Sequence, residues 1–169
     1  DSQQPFVSLP EGRRGVLGIS ILIALGNVTW DKDGWLEAGG SGSACSAPNM
    51  AFSGAMPLVR VEHQGVPLVF DLDTGASMTS LWPVFARRFP EGLVKSGPVK
   101  LRGVGSSRDA KAARLPALNL RINGRDLPLR NVRVVLDEKT SLAGRIGLDA
   151  FESARRVGID FQSMCLIVE

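Results

Sequence analysis

The stretch LVFDLDTGASMTSLW, residues 68–82, decides the fold of this 169-residue chain. An apolar, strand-like run ends in two acidic residues, Asp71 and Asp73, which are followed by Thr74 and Gly75. Charged side chains at the end of a core strand are costly unless they are paired or used in chemistry. The stretch therefore predicts either a partner for these carboxylates or a reaction that needs them.

The composition indicates one mainly β domain. Hydrophobic residues make up 44% of the chain and charged residues 22%, so the chain can bury a core. Gly (19) and Pro (10) are plentiful and helical patterns are few, which favours short strands joined by turns, with one or two short helices. The net charge of +3 comes from scattered basic pairs and there is no Tyr, so we expect no nucleic-acid partner.

Three hairpins are predicted from alternation and turn residues. Residues 56–72 alternate with period two on both sides of a turn at Gly65. The pair Asn123–Gly124 lies between two further strands and is a strong hairpin signal. A third hairpin is expected in the N-terminal part of the chain, where Gly34 supplies a positive φ.

The chain is expected to divide into two parts. Residues 1–49 form an N-terminal arm and an extra hairpin that ends in a Gly/Ser loop, and residues 50–169 form the main domain. The apolar run at 17–26 is too short to span a bilayer and predicts a buried strand, so we expect no membrane span. The other predicted elements are helices over 82–89 and 147–157 and a closing strand over 157–169.

The titratable and metal-ligating residues exclude several kinds of site. A zinc centre needs about four Cys, His or carboxylate ligands in local pairs, but the chain has one histidine, His63, and two distant cysteines, Cys45 and Cys165. Catalysis of the Ser-His-Asp type would require His63 itself as the base. An even cysteine count permits a single disulfide, and two unrelated buried thiols are an equal alternative. We expect no metal and no cofactor.

The tripeptide DTG at residues 73–75 follows an apolar strand and precedes Ala-Ser, and in this context the sequence resembles the bacterial retropepsin-like aspartic proteases, which carry one DTGAS motif per chain. The resemblance covers roughly residues 50–169. LRGVGSSRD falls where the family has its glycine-containing flap, and AGRIGLDAFESARRVGIDF is similar to its hydrophobic-hydrophobic-Gly segment. The resemblance implies a retropepsin-like acid-protease β-barrel or sandwich. Arg145, which stands where the family usually has an aliphatic residue, and a flap without an aromatic residue depart from the pattern.

The resemblance also implies a mechanism and a set of site residues. Peptide hydrolysis needs a base to activate water and an acid to protonate the carbonyl oxygen or the leaving nitrogen, and two adjacent carboxylates that share one proton supply both. Asp73 is the implied catalytic residue, and Asp71 is expected to be structural or to lie at the rim. The implied supporting residues are Thr74, Gly75, Ala76 and Ser77 in the catalytic loop, Gly103, Val104, Gly105 and Ser106 in the flap, and Ile146 and Gly147 in the second loop.

The chain holds one DTG motif, so the simplest complete site is a twofold homodimer that contributes one Asp73 from each subunit and acts on a peptide or protein substrate. The Thr74 hydroxyl is then expected to bond to the partner loop's backbone, and Ser77 to donate to the outer carboxylate oxygen. Three alternatives stay open: an ordinary Asp/Gly turn, a peptide-binding or dimerisation module with little proteolysis, and a module regulated by a missing region or by its N-terminal arm. Export, for instance to a periplasm, is compatible with a disulfide.

Overall fold

The computed structural model describes residues 18–39, 45–103 and 106–169. This part of the chain is mostly β-structure, as the sequence predicted, and α2 confirms the short helix predicted over 82–89. In chain order the elements are α1 (Ile19–Leu25), β1 (Asn27–Asp31), β2 (Leu36–Ala38), β3 (Met50–Ser53), β4 (Met56–His63), β5 (Val66–Leu72), β6 (Ser80–Leu81), α2 (Pro83–Arg88), β7 (Val94–Lys95), β8 (Val99–Gly103), β9 (Ser106–Ala110), β10 (Ala112–Ile122), β11 (Arg125–Val135), β12 (Gly144–Ile146), the 3-10 helix η1 (Leu148–Phe151), β13 (Arg156–Asp160) and β14 (Cys165–Val168).

The two hairpins predicted from strand alternation and an Asn-Gly pair are confirmed. β4 and β5 pair antiparallel around Gln64 and Gly65, whose φ angles are 51° and 75°. β10 and β11 likewise meet at Asn123 and Gly124, with φ angles of 48° and 79°. Positive φ at both central residues gives a turn whose twist matches that of the flanking strands, and this favours Asn and Gly there.

An eight-stranded sheet in the order β3-β4-β5-β12-β6-β11-β10-β7 carries most of the core. β12 comes late in the chain but lies between β5 and β6, and it runs parallel to β5. In this register Arg145 lies opposite Asp71, and Ile146 lies opposite Leu72. The interior is filled by fully buried hydrophobic side chains, among them Val59, Val61, Phe70, Leu81, Leu120 and Val134.

A four-stranded sheet in the order β14-β13-β1-β2 contains the predicted N-terminal hairpin, with Gly34 at a φ of 87°. β1 pairs along its whole length with β13, so backbone hydrogen bonds join the N-terminal part of the chain to the C-terminal strands. The side chains of Val157, Ile159 and Leu166 belong to the same hydrophobic cluster as those of the larger sheet. The two sheets therefore share one core.

Two side-chain links attach β14 to the segment before β3. Cys45 and Cys165 form a disulfide, with their Cα atoms 6.0 Å apart. Asn49 is buried, and its Nδ2 donates to the Leu166 carbonyl at 2.9 Å while its Oδ1 accepts the Leu166 N–H at 2.8 Å. The Asn49 amide thus satisfies both buried backbone groups of Leu166, as buried polar groups require.

The prediction of a buried strand over the apolar run at 17–26 is wrong for the described part of that run. Residues Ile19–Leu25 form helix α1, which Gly26 ends at a φ of 76° with its N–H bonded to the Ile23 carbonyl. None of the helical residues is buried. A continuous apolar run does not by its periodicity distinguish a strand from a helix. α1 is far too short to cross a bilayer, and no helix within the described ranges has the length and apolarity to do so.

Two predictions near the C-terminus are also wrong in part. The helix predicted over 147–157 is limited to η1, and Arg156 already belongs to β13. The predicted closing strand is a hairpin of β13 and β14, because the Asp160 carboxylate accepts two backbone N–H groups and the Ser163 hydroxyl and so stabilises a turn. These bonds lower the pKa of Asp160. Pairing with β1 explains why the chain extends at Arg156, since sheet packing overrides local helix propensity.

Candidate active site

Asp73 follows directly on β5, in a tight turn whose backbone is held on both sides. Its N–H donates to the Ile146 carbonyl at 3.0 Å, and its own carbonyl accepts the Ala76 N–H at 3.0 Å. Its carboxylate Oδ1 accepts the Gly75 N–H at 2.9 Å. A Cβ at Gly75 would lie 3.1 Å from that same oxygen, so glycine leaves the carboxylate room. The Asp73 side chain is 35% exposed, which makes it an accessible, oriented carboxylate.

The loop that follows β12 is bonded to the turn around Asp73. The Gly147 N–H donates to Thr79 Oγ1 at 3.1 Å, and the Leu148 N–H donates to the Ala76 carbonyl at 2.9 Å. Thr79 is fully buried, and its hydroxyl and N–H donate to Asp149 Oδ1 at 2.6 Å and 2.7 Å. The Thr79 hydroxyl therefore both accepts and donates, and the two loops are fixed as one unit.

Arg145 contacts both acidic residues at the end of β5. Its Nε and Nη2 each lie 2.7 Å from Asp71 Oδ2, and its Nη1 lies 3.1 Å from Asp73 Oδ2. The Asp71 side chain is 4% exposed and that of Arg145 is 42% exposed. The guanidinium carbon also lies 6.0 Å from the centre of the Trp82 ring. Asp71 is thus a buried carboxylate whose partner is Arg145, and Asp73 shares that partner.

The pKa of Asp71 depends on its burial and on the charges of Arg145 and Asp73. Burial raises the pKa of Asp71; the charge and hydrogen bonds of Arg145 oppose the rise, and the negative charge of Asp73 adds to it. Desolvation penalises the charged form of a carboxyl group, whereas a neighbouring cation favours it. One guanidinium that faces two carboxylates therefore only partly offsets the burial of Asp71.

An apolar cavity of about 630 Å³ opens beside the two carboxylates. Its lining includes Ile19 and Leu22 of α1, Trp30 and Leu36 of the β1–β2 hairpin, and Asp73 and Thr74 of the turn. Among the described residues, Asp71 and Asp73 are the charged members of the lining. A cavity of several hundred Å³ with mostly apolar walls and a few polar groups is typical of a ligand site.

The residues of the predicted catalytic loop lie at the surface of the single chain. Thr74, Gly75 and Ser77 are exposed, and Ala76 is half-buried. Ile146 and Gly147 of the predicted second loop are buried and contact the turn through the bonds described above. The structure therefore brings the catalytic loop and the second loop together and leaves the Thr74 and Ser77 side chains accessible.

The predicted flap is described only in part. Gly103 and Ser106 pair at the end of the β8–β9 hairpin, which forms a two-stranded sheet of its own. Val104 and Gly105 lie outside the described residues.

Sequence reasoning missed the contacts of Arg145, Thr79 and Asp149. Thr79 and Asp149 carry no local signal, since a Thr in a polar stretch and an Asp at a helix start are ordinary. A signal for Arg145 did exist: a cation stood where the family pattern expects an aliphatic residue, while Asp71, expected to be structural or at the rim, had no named partner. Two unexplained opposite charges at the ends of core strands indicate a pair.

Comparisons with known proteins agree with this geometry. The sequence profile described as aspartyl protease matches residues 59–157, more than half of the chain. No curated protein matches the chain. Similar solved structures include the retroviral protease-like domain of Ddi1 from Leishmania major, at 20% identity and a TM-score of 0.50, with 68% of this chain and 88% of that chain covered. The EIAV protease complexed with the inhibitor HBY-793 is also similar, at 21% identity and a TM-score of 0.44, with 57% of this chain and 86% of that chain covered. A retropepsin-like aspartic protease from Rickettsia conorii matches at 18% identity and a TM-score of 0.45, with 68% of this chain and 82% of that chain covered. At 20% identity, the likeness to the Ddi1 domain concerns the fold alone.

Proposed function

We propose that this chain, which belongs to the aspartyl protease family, is an aspartic endopeptidase whose active site is completed by a second copy of the chain. One Asp73 from each subunit forms the catalytic dyad. The observation that carries the proposal is the placement of Asp73: an oriented, accessible carboxylate at the end of a core strand, beside a largely apolar cavity. Peptide and protein segments with apolar side chains are the substrates that such a cleft suits.

The dyad performs hydrolysis in two steps, and in each step one carboxylate accepts a proton while the other donates one. The two carboxylates share one proton because a pair of close negative charges is unfavourable. The ionised carboxylate removes a proton from water as the water oxygen attacks the peptide carbonyl carbon, while the protonated carboxylate donates to the carbonyl oxygen. The protonated carboxylate then gives its proton to the amide nitrogen as the C–N bond breaks, and the other carboxylate takes a proton from a hydroxyl of the tetrahedral intermediate, which returns the dyad to its starting charge. The Gly75 N–H holds one oxygen of each Asp73 in place throughout.

The nearest acidic neighbour within the chain does not suit the second role. Asp71 is 4% exposed, and its Oδ2 already accepts two donors of Arg145. Although Asp71 lies at the cavity wall, a carboxylate so enclosed and already paired is poorly placed to activate water. The exposed Thr74, Gly75 and Ser77 instead offer a surface where a second copy can meet the first about a twofold axis.

A substitution of Asp73 tests the proposal. We expect Asp73→Asn to abolish cleavage of a denatured protein at mildly acid pH, because the dyad loses its base, with the fold retained. Asp126→Asn is the matched control, since Asp126 is exposed and far along the β10–β11 hairpin, where it pairs with Arg121. A fully active Asp73→Asn protein would refute the assignment.

Mixing of subunits tests the second copy. A tenfold excess of Asp73→Asn protein, added to wild type under conditions of subunit exchange, leaves about one wild-type subunit in eleven with a wild-type partner. We expect the activity per wild-type subunit to fall by roughly tenfold. Unchanged activity at proven exchange would place the whole site within one chain.

Regulation by the N-terminal region is a second candidate, supported by Ile19 and Leu22 of α1, which line the cavity beside Asp73. An apolar helix in that position competes with an apolar substrate side chain. If so, a chain that begins at residue 27 should cleave more rapidly at low substrate concentration. A binding module with little proteolysis is distinguished by the absence of cleavage together with retained affinity for a peptide that mimics the transition state.

A further inference from the structure

The guanidinium of Arg145 divides its donors unequally between two carboxylates. Two nitrogens lie 2.7 Å from Asp71 Oδ2, and the third lies 3.1 Å from Asp73 Oδ2. Parallel pairing of β12 with β5 sets this arrangement, since Arg145 is opposite Asp71 in the register. Charge-assisted hydrogen bonds of this kind are strong and directional, so they orient both carboxylates.

The other charged groups around Asp73 can be named from each packed element. β5 contributes Asp71 and β12 contributes Arg145. η1 contributes Asp149, whose Oδ1 is taken by the N–H and hydroxyl of Thr79. α1 and the β1–β2 hairpin contribute uncharged side chains to the cavity wall. Within the described residues, Arg145 is therefore the cation beside Asp73 and Asp71 is the competing anion.

We propose that Arg145 is a positioning residue that sets how readily the dyad gives up its shared proton, and that Asp71 limits this effect by holding most of the guanidinium. The inference rests on the proposed function, because the shared proton exists only where two copies of Asp73 meet. Nη1 of Arg145 lies 3.1 Å from an oxygen of the catalytic carboxylate, so the charge of Arg145 acts directly on the dyad. Asp71 neutralises much of that cation, so the dyad keeps its acid form over a wider pH range.

The two partners must therefore act with opposite sign. Arg145→Met removes the cation and leaves Asp71, so the dyad holds its proton to higher pH. Asp71→Asn removes the anion and leaves the cation, so the dyad loses its proton at lower pH. If the orphaned Asp71 takes up a proton in Arg145→Met, its negative charge is lost as well, and the upward shift is smaller but keeps its direction, because Arg145 is the charge in direct contact with Asp73.

The alkaline limb of the peptidase pH profile measures this difference. We expect Arg145→Met to move the limb upward and Asp71→Asn to move it downward, each by about one pH unit. Arg145→Lys keeps the charge and should lie closer to wild type than Arg145→Met. The control is Arg121→Met, an exposed arginine paired with Asp126, which should leave the profile unchanged. Shifts in the same direction, or a loss of rate with no shift, would overturn the inference.

A second measurement reads the same contact without catalysis. In Asp71→Asn, Asp73 is the one carboxylate within the described residues that still contacts the guanidinium of Arg145. The Nε–H resonance of Arg145 should then move with pH in Asp71→Asn and lose that movement when Asp73→Asn is added. A resonance indifferent to pH in the single variant would overturn the inference. If the wild-type protein cleaved no substrate but the Arg145 Nε–H resonance in Asp71→Asn still moved with pH, the result would count against the proposed function and would leave the contact of Arg145 with Asp73 established.

Discussion

Gly147 lies against the backbone of the neighbouring loop, where a side chain does not fit. A Cβ at this position would lie 2.6 Å from the carbonyl carbon of Met78, and 2.8 Å and 2.9 Å from its oxygen and nitrogen. Carbon atoms pack at about 3.5–4.0 Å, so Gly147→Ala would push the two loops apart by on the order of 1 Å. The φ of −102° and ψ of −177° suit alanine, so the cost comes from this contact and not from backbone strain.

The magnitude follows from what the separation disrupts. Overpacking a filled site costs about 1–3 kcal/mol. The same movement lengthens the 3.1 Å bond from the Gly147 N–H to Thr79 Oγ1 and the 2.9 Å bond from the Leu148 N–H to the Ala76 carbonyl. Each lost hydrogen bond adds about 1 kcal/mol. We therefore expect Gly147→Ala to lower the free energy of unfolding by about 3–5 kcal/mol.

Urea denaturation followed by circular dichroism provides the assay. The denaturation midpoint should fall while the slope m stays constant, because the surface exposed on unfolding is unchanged. Gly97→Ala is the matched control, since Gly97 is exposed and a Cβ there meets nothing within 4 Å. We expect the control to change stability by less than about 0.5 kcal/mol. If Gly147→Ala costs no more than Gly97→Ala, the two loops are not in rigid contact and the reasoning is refuted.

Two further predictions concern stability. Arg145→Met should cost about 2–3 kcal/mol at pH 7, because it leaves the buried Asp71 without its partner. Burial raises the folded-state pKa of Asp71 and Arg145 opposes the rise, so in the variant the penalty should shrink as the pH falls from 7 to 4, because the folded state takes up the proton before the unfolded state does. Denaturation at several pH values measures this, and an equal loss at pH 4 and pH 7 would contradict it. Asn49→Ala should cost about 1–3 kcal/mol, because it removes the side-chain acceptor of the buried Leu166 N–H, whereas the Leu166 carbonyl keeps the Asn123 Nδ2 donor at 3.1 Å. A thermal midpoint within a degree of wild type would contradict that expectation.

Local patterns in the sequence predicted much of the fold correctly. The hairpin turns at Gly65 and Asn123–Gly124 depend on residues that tolerate positive φ, which is a property of the two turn residues themselves. The position of Asp73 at the end of a strand depends on the apolar alternation just before it. Such features need no knowledge of distant residues.

The elements that the sequence did not predict depend on distant partners. An apolar run such as Ile19–Leu25 suits a helix or a buried strand, and the choice depends on whether a sheet edge is free to receive it. Arg156 extends because β1 pairs with β13. The pairing of Asp71 with Arg145, 74 positions apart, arises from the parallel register of β5 and β12, which no local rule contains.

The disulfide between Cys45 and Cys165 determines which fragments stay joined when the backbone is cleaved. The two cysteines lie 120 positions apart, so they close most of the chain into a covalent ring that includes the Asp73 turn. A single backbone nick inside the ring leaves both fragments tethered. A nick just ahead of Cys45 instead severs α1 and the β1–β2 hairpin, which are then retained by non-covalent contacts with β13 and its neighbours. Under oxidising conditions, a nick ahead of Cys45 therefore leaves the N-terminal part of the molecule without a covalent link, while the body that carries Asp73 stays in one piece.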